Sequence, residues 1–232
     1  MASTKKTARA AGLLYLLVVI TAAFSLTYVP SRLIVRGDTT ATVNNILASQ
    51  TLYRMGIASD LLSTTLFIFL ALALHRLLKG VNQRQAALMV VLVLIQVPIK
   101  FLNVVNEIAA LTLLRGPHFF SVFDKPQRDA LAMLFLHLHE QGIVVSQAFW
   151  GLWLFPFGAL VYRSGFLPRV LGLWLTLNGL AYLILCFTGL LFPQFYALVF
   201  NSAMPAALGQ MVMMLWLLIM GAKDQPLADP AS

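Results

Sequence analysis

Asp60, Glu107, His137 and Glu140 each lie inside a long apolar stretch. An ionisable side chain in hydrocarbon is costly, so it signals a partner, a water-filled cavity or a working site. Their types suit two chemistries. His137 and Glu140, three apart on a helix, reach one point together, and helix-bundle metal sites use this spacing. Joined by Glu107 and Asp60, they form a one-His, three-carboxylate set suited to a borderline or hard divalent ion. The alternative is proton transfer, in which an imidazole beside a carboxylate relays charge. A third reading is structural: Lys100 and Arg54 neutralise two acids, and amides complete a network that glues helices together at about 0.6–2 kcal/mol per group. These acids and bases exceed what one glued pair needs, which favours a working cavity. Metal is not the expected occupant, because His-x-x-Glu arises easily by chance and no second histidine shares the face.

Helices must position these groups. At about 100° per residue, Gln96, Lys100, Asn103 and Glu107 fall on one stripe of the third apolar stretch. In the fourth, His137, Glu140, Gln141, Gln147 and Gly151 share a face, and His139 points the opposite way. In the second, Asp60 clusters with Ser63 and Thr64, with Arg54 nearer the end. At about 1.5 Å per residue, Asp60 lies roughly 12 Å in from Leu52, Glu107 roughly 10 Å in from Leu114, and His137 roughly 9 Å in from Leu131. Lys100 sits about 10 Å deeper than Glu107. The expectation is a polar cavity opening outward, with Lys100 near its floor. Pro98, on the same helix, removes a backbone donor and predicts a local kink.

Composition says what surrounds those helices. The 232 residues are 60% hydrophobic and only 10% charged, with a mean hydropathy of +0.85. A soluble domain carries about 25% charged residues. The expected fold is therefore all-α: a polytopic membrane bundle of six transmembrane helices, at about 10–29, 52–74, 86–113, 130–161, 170–191 and 202–221. These spans make one domain over about 1–223, followed by a short polar tail at about 224–232. The net charge of +8 is distributed between the apolar runs rather than in one patch, which speaks for membrane topology and against nucleic acid. With the N-terminus inside, Lys5, Lys6, Arg9, Arg76, Lys79, Arg84, Arg163, Arg169 and Lys223 face the cytoplasm. Arg32, Arg36, Arg54, Arg115, Lys125 and Arg128 face outward, a moderate bias that places both termini in the cytoplasm.

Smaller signals refine the picture. The basic start and Ala23-Phe24-Ser25 resemble a cleavable leader, but the first apolar run is long enough to span, and it is read as a retained helix. Asp38 or Thr39 is expected to cap a short helix with Val43, Ile46 and Leu47 on one face. Asn178 and Gln210 are read as hydrogen bonders between helices. Cys186 is the only cysteine, which excludes paired-thiol chemistry. No nucleophile elbow, His-Glu-x-x-His motif, P-loop or dinucleotide fingerprint occurs.

The stretch Phe149-Trp150-Gly151-Leu152-Trp153-Leu154-Phe155-Pro156, followed by Tyr162-Arg163-Ser164-Gly165-Phe166-Leu167-Pro168-Arg169, resembles the bacterial membrane family catalogued as domain of unknown function 4386. Arg9-x-x-Gly12, Leu52-Tyr53-Arg54-Met55-Gly56 and Leu215-Trp216-Leu217-Leu218 resemble it too. The resemblance implies a six-helix protein of the bacterial inner membrane and carries no activity. In the long motif, Trp150 and Trp153 should pack, Pro156 should bend the fourth helix, and Arg163 and Arg169 should anchor a tight turn.

The leading functional expectation is a protein that binds or transports a small or amphipathic molecule in an outward-facing cavity, with proton coupling. Asp60, Lys100, Asn103, Glu107, His137, Glu140, Gln141 and Arg54 are its candidate residues. One alternative is an intramembrane enzyme on lipid-like substrates, with His137 and Glu140 as acid/base groups or metal ligands. The other is a structural or partner-binding subunit. No cofactor is expected, and a divalent metal, if held, would fall to His137, Glu140, Glu107 and Asp60. The expected partners are the lipid bilayer and the ligand, not nucleic acid.

Overall fold

The computed structural model describes residues 4–223, so the tail expected at 224–232 lies outside the described residues. The helices are α1 (Thr4–Ala23), α2 (Val29–Leu33), α3 (Thr39–Ala48), α4 (Gln50–Leu78), α5 (Gln83–Arg115), α6 (Lys125–Leu152), α7 (Leu154–Arg163), α8 (Arg169–Leu191) and α9 (Tyr196–Ile219). No strand occurs among the described residues. Among the described residues six segments are long and apolar enough to cross a membrane: Thr4–Leu33, Gln50–Leu78, Gln83–Arg115, Lys125–Arg163, Arg169–Leu191 and Pro193–Ile219. The all-α, six-helix architecture expected from composition is thus the observed one, with each segment starting before its expected span.

Local chemistry sets the boundaries. Pro30 has no N–H to offer the α-helical ladder, and the turn before it widens to a π-type segment, Phe24–Tyr28, in which the N–H of Val29 reaches the carbonyl of Phe24. Asp38 caps α3 as expected, its Oδ1 accepting from the N–H of Ala41 at 2.8 Å, and Val43 and Ile46 are buried. Asp124 and Gln127 form a reciprocal capping box at the start of α6, with bonds of 2.8 and 3.0 Å. Pro156 interrupts the fourth span at Trp153, between α6 and α7, because it cannot donate to the carbonyl four residues earlier. Pro98 is absorbed differently: α5 runs unbroken through it.

The chain forms two compact units. The first comprises Leu17–Leu66 and Gln96–Ser146. Its apolar core gathers Val29 and Leu33 of α2, Val43 and Ile46 of α3, Tyr53 of α4, Val104 and Leu111 of α5 and Leu136 of α6. Ser59 and Ser63 of α4 donate to the carbonyls of Thr21 and Val18 at 3.0 and 3.4 Å. Gly56 lets α4 approach Val29, where a Cβ would lie 3.0 Å from its side chain.

Among the described residues, the second unit comprises 4–16, 67–95 and 147–223. Here α7 packs on α8 and α8 on α9. Antiparallel glycines bring helix backbones together: a Cβ on Gly158 would stand 2.6 Å from the carbonyl of Gly172, and one on Gly151 2.5 Å from that of Gly179. Gly12 sits so close to α9 that a Cβ would collide with the backbone of Leu217 and Leu218. Trp153 is 2% exposed, stacked on Phe157 at 5.2 Å and edge-on to Phe67 at 5.0 Å. Trp150 meets Tyr182 edge-on at 5.8 Å. Gln210 accepts from the hydroxyl of Tyr15 at 3.0 Å, the interhelical role expected of it, and Asn178 is buried at 1% exposure.

Candidate functional site

The polar stripe expected on α5 is present, and its members Gln96, Lys100, Asn103 and Glu107 all lie in the first unit. Gln96, Lys100 and Asn103 are buried, at 2, 6 and 5% exposure. On the opposite side of the same helix Leu102, Val105 and Ile108 are exposed, at 71, 54 and 47%. A helix with charge inside and bare aliphatics outside is inverted relative to a helix of a water-soluble protein, and it is the arrangement hydrocarbon demands.

Lys100 reaches Asp60 of α4 and donates to both carboxylate oxygens, at 2.8 and 3.0 Å. The two side chains are 8 and 4% exposed, so this is a fully enclosed ion pair. Thr64, one turn along α4, donates to the carbonyl of Asp60 at 2.9 Å. A lone buried charge is expensive, whereas a pair with two charge-assisted hydrogen bonds can persist.

A second acid–base pair lies one to two turns further along α5. Glu107 Oε2 is 3.8 Å from Nδ1 of His139 on α6, with side chains 16 and 13% exposed. The imidazole is held by a reciprocal clasp. The amide of Asn103 donates to the carbonyl of His139 at 3.0 Å, and Nδ1 of His139 lies 3.3 Å from the carbonyl of Asn103. A carbonyl only accepts, so this contact is a hydrogen bond when Nδ1 carries the hydrogen, which leaves Nε2 of the neutral ring as the basic nitrogen. Gly142 of α6 makes room for the clasp, because any Cβ there would collide with Oδ1 of Asn103. Asn106 donates to that same oxygen at 3.2 Å. Tyr53 of α4 donates to the carbonyl of Glu107 at 3.1 Å, tying the third helix to the group. The charges of Asp60 and Lys100 act on both Glu107 and His139, so the two pairs form one electrostatic cluster.

The expected inward face of the fourth span holds in its second half, where Gln147 and Gly151 are buried, and is corrected in its first. His137 and Glu140 are turned outward, with side chains 61 and 63% exposed and Nδ1 3.9 Å from Oε2 of the same helix. Gln141 is half-buried, and Arg54 is exposed on α4. His139, assigned to the far side, occupies the interior. The physical reason is size: Gly142 and the buried Ser146 lie three and seven residues after His139, and this small-residue stripe is the one that lets α6 approach α5. That spacing was the signal available for His139 and Gly142, whereas the roles of Tyr53 and Asn106 depend on contacts that no spacing shows.

The structure therefore brings together Asp60, Lys100, Asn103, Glu107 and His139, and leaves out His137, Glu140 and Arg54. Among the described residues no group of three or more His, Cys, Asp or Glu side chains is placed to hold a metal ion. Two open clefts, one lined by Leu47–Leu52 with Met55 and the other by α8 residues from Leu180 to Leu191 with Phe192, include no residue of the cluster.

Comparison with known proteins adds the family but no activity. No curated protein and no solved structure matches the chain. One family model matches residues 10–221, thereby covering all six apolar segments in whole or in large part. The chain belongs to the family described as a domain of unknown function, DUF4386.

Proposed function

We propose that this is a multi-pass protein of the bacterial inner membrane, both termini cytoplasmic, that binds or transports a small or amphipathic molecule and relays protons through Glu107 and His139. The observation that carries the reading is the coexistence of two unlike acid–base pairs. Asp60 and Lys100 are closed on each other at 2.8 Å and neutralise their own charges. Glu107 and His139 stand 3.8 Å apart, beyond a direct hydrogen bond, with the ring positioned by Asn103 rather than by the acid. Packing glue needs only the closed pair. An open acid–imidazole pair beside it is suited to taking up and passing on a proton, because neither partner is consumed by the other. Asp60 and Lys100 supply the fixed field, and Arg54 lies on α4 with Asp60, exposed and nearer the start of that helix. The distribution of Lys and Arg supports the orientation.

The test is proton movement into proteoliposomes carrying a lumenal pH dye, driven by a potassium diffusion potential. Protein-containing vesicles should acidify faster than protein-free ones. Glu107→Gln and His139→Ala should each slow this at least about tenfold, while His137→Ala leaves it unchanged. Equal rates with and without protein, or in wild type and Glu107→Gln, refute the relay.

A further inference from the structure

Gln96 is the one member of the α5 stripe that the cluster above does not use. It lies one helical turn from Lys100, on the side away from Glu107, and is 2% exposed. Both its amide nitrogen and its amide oxygen are buried without a hydrogen-bond partner. Leaving one such atom unsatisfied carries the full penalty of taking it out of water, and this side chain presents two donors and an acceptor together. An apolar residue at this position would avoid that cost, so the amide implies something that answers it.

The chemistry of the occupant follows from its neighbours. It must accept from the amide N–H and donate to the amide oxygen. It must also be uncharged. Asp60 is already neutralised by Lys100, so a second cation would meet the ammonium one turn away, and an anion would be drawn to a lysine whose charge is already spent on Asp60. Water is the smallest species with these properties, and buried water makes such bonds wherever polar groups lack partners.

We infer that water occupies the Gln96 amide, so that the proposed site stays wet on the far side of the Asp60–Lys100 pair and admits only neutral hydrogen-bonding groups there. This rests on the reading of the polar cluster as a hydrated site, and it names the class of group the inner end accepts: hydroxyl or carboxamide, not an ion. From Glu107 to Gln96 the wet stripe would extend about 16 Å along α5, close to half of a hydrocarbon core about 30 Å thick.

Cysteine accessibility tests this directly, because Cys186 is the only native thiol. In a Cys186→Ser background, Gln96→Cys, Asn103→Cys and Leu102→Cys are reconstituted in liposomes and treated with iodoacetamide, which is neutral, or with a quaternary-ammonium thiosulfonate. Thiols react as thiolates, which need water, so Gln96→Cys should be alkylated at least about tenfold faster than the lipid-facing Leu102→Cys. The cationic reagent should leave Gln96→Cys unmodified. If Asn103→Cys reacts and Gln96→Cys is as slow as Leu102→Cys, this inference fails and the wet cluster survives. If both are as slow as Leu102→Cys, the reading of the cluster as a hydrated site fails with it. Labelling of Gln96→Cys by the cationic reagent at a rate equal to iodoacetamide overturns the neutral selectivity. Gln96→Leu supplies a readout independent of cysteine chemistry: a hydrated amide predicts no gain in unfolding midpoint, whereas a clear rise shows that the amide had nothing to bind.

Discussion

Replacing Lys100 with Met removes the ammonium and keeps most of the aliphatic stem, so it isolates the charge of the buried pair. Two unit charges 2.8 Å apart attract by about 6 kcal/mol at an effective dielectric of about 20. That is a gross figure, opposed by the desolvation of both groups. In the intact protein the two nearly balance, and net stabilisation by the pair is small. In Lys100→Met the attraction is gone and the desolvation of Asp60, 4% exposed, remains. The variant should lose about 3–5 kcal/mol, the range found when one partner of a buried pair is deleted. The double variant Asp60→Leu/Lys100→Met removes both charges and should recover most of that loss. The assay is unfolding in mixed micelles by titration with SDS, followed by circular dichroism, for wild type, both single variants and the double. A coupling energy of several kcal/mol is the expected outcome. A Lys100→Met loss below about 1 kcal/mol, or a double variant whose loss equals the sum of the singles, would show that the charges are not enclosed together and would refute the reasoning.

The other expectations follow from packing and from which face of α6 is inward. Gly142→Ala forces a Cβ against Oδ1 of Asn103 and should cost about 1–3 kcal/mol in the same titration; adding Asn103→Ala should make the second methyl tolerable, so the double variant must be less destabilised than the sum. Gly158→Ala, whose Cβ would stand 2.6 Å from the carbonyl of Gly172, should cost about 1–3 kcal/mol by prising α7 from α8, and a neutral result would mean that the backbones do not touch. His137→Ala and Glu140→Ala should each stay within about 0.5 kcal/mol of wild type as exposed substitutions, whereas His139→Ala loses the clasp with Asn103 and should cost about 1–3 kcal/mol. A reversal of that order, with His137 the sensitive one, would place the wrong face of α6 inside.

How much of this was legible in the sequence depends on what kind of information each feature requires. The all-α, six-span architecture follows from the density and length of apolar runs, because a backbone in hydrocarbon must bond to itself and a helix of about 20 residues does so. Asp38 as a cap and Pro156 as a break are equally local: a side-chain oxygen three residues before a free N–H, and a residue with no N–H at all. The α5 stripe was legible too, since a single period places Gln96, Lys100, Asn103 and Glu107 together and the opposite side is mostly apolar.

On α6 periodicity was not enough. Its two sides both carry polar residues, His137 with Glu140 on one and His139 with Ser146 on the other, and a helical wheel has no arrow pointing inward. Tertiary packing chose between them, because the clasp of Asn103 on His139 needs the gap that Gly142 leaves. Likewise the sequence offered Lys100 two acids, and only the placement of α4 beside α5 decided that its ammonium meets Asp60 and leaves Glu107 to the histidine. Identity and depth of the charged groups belong to the chain itself; their partners belong to the fold, since a few ångströms between neighbouring helices determine which charges can touch.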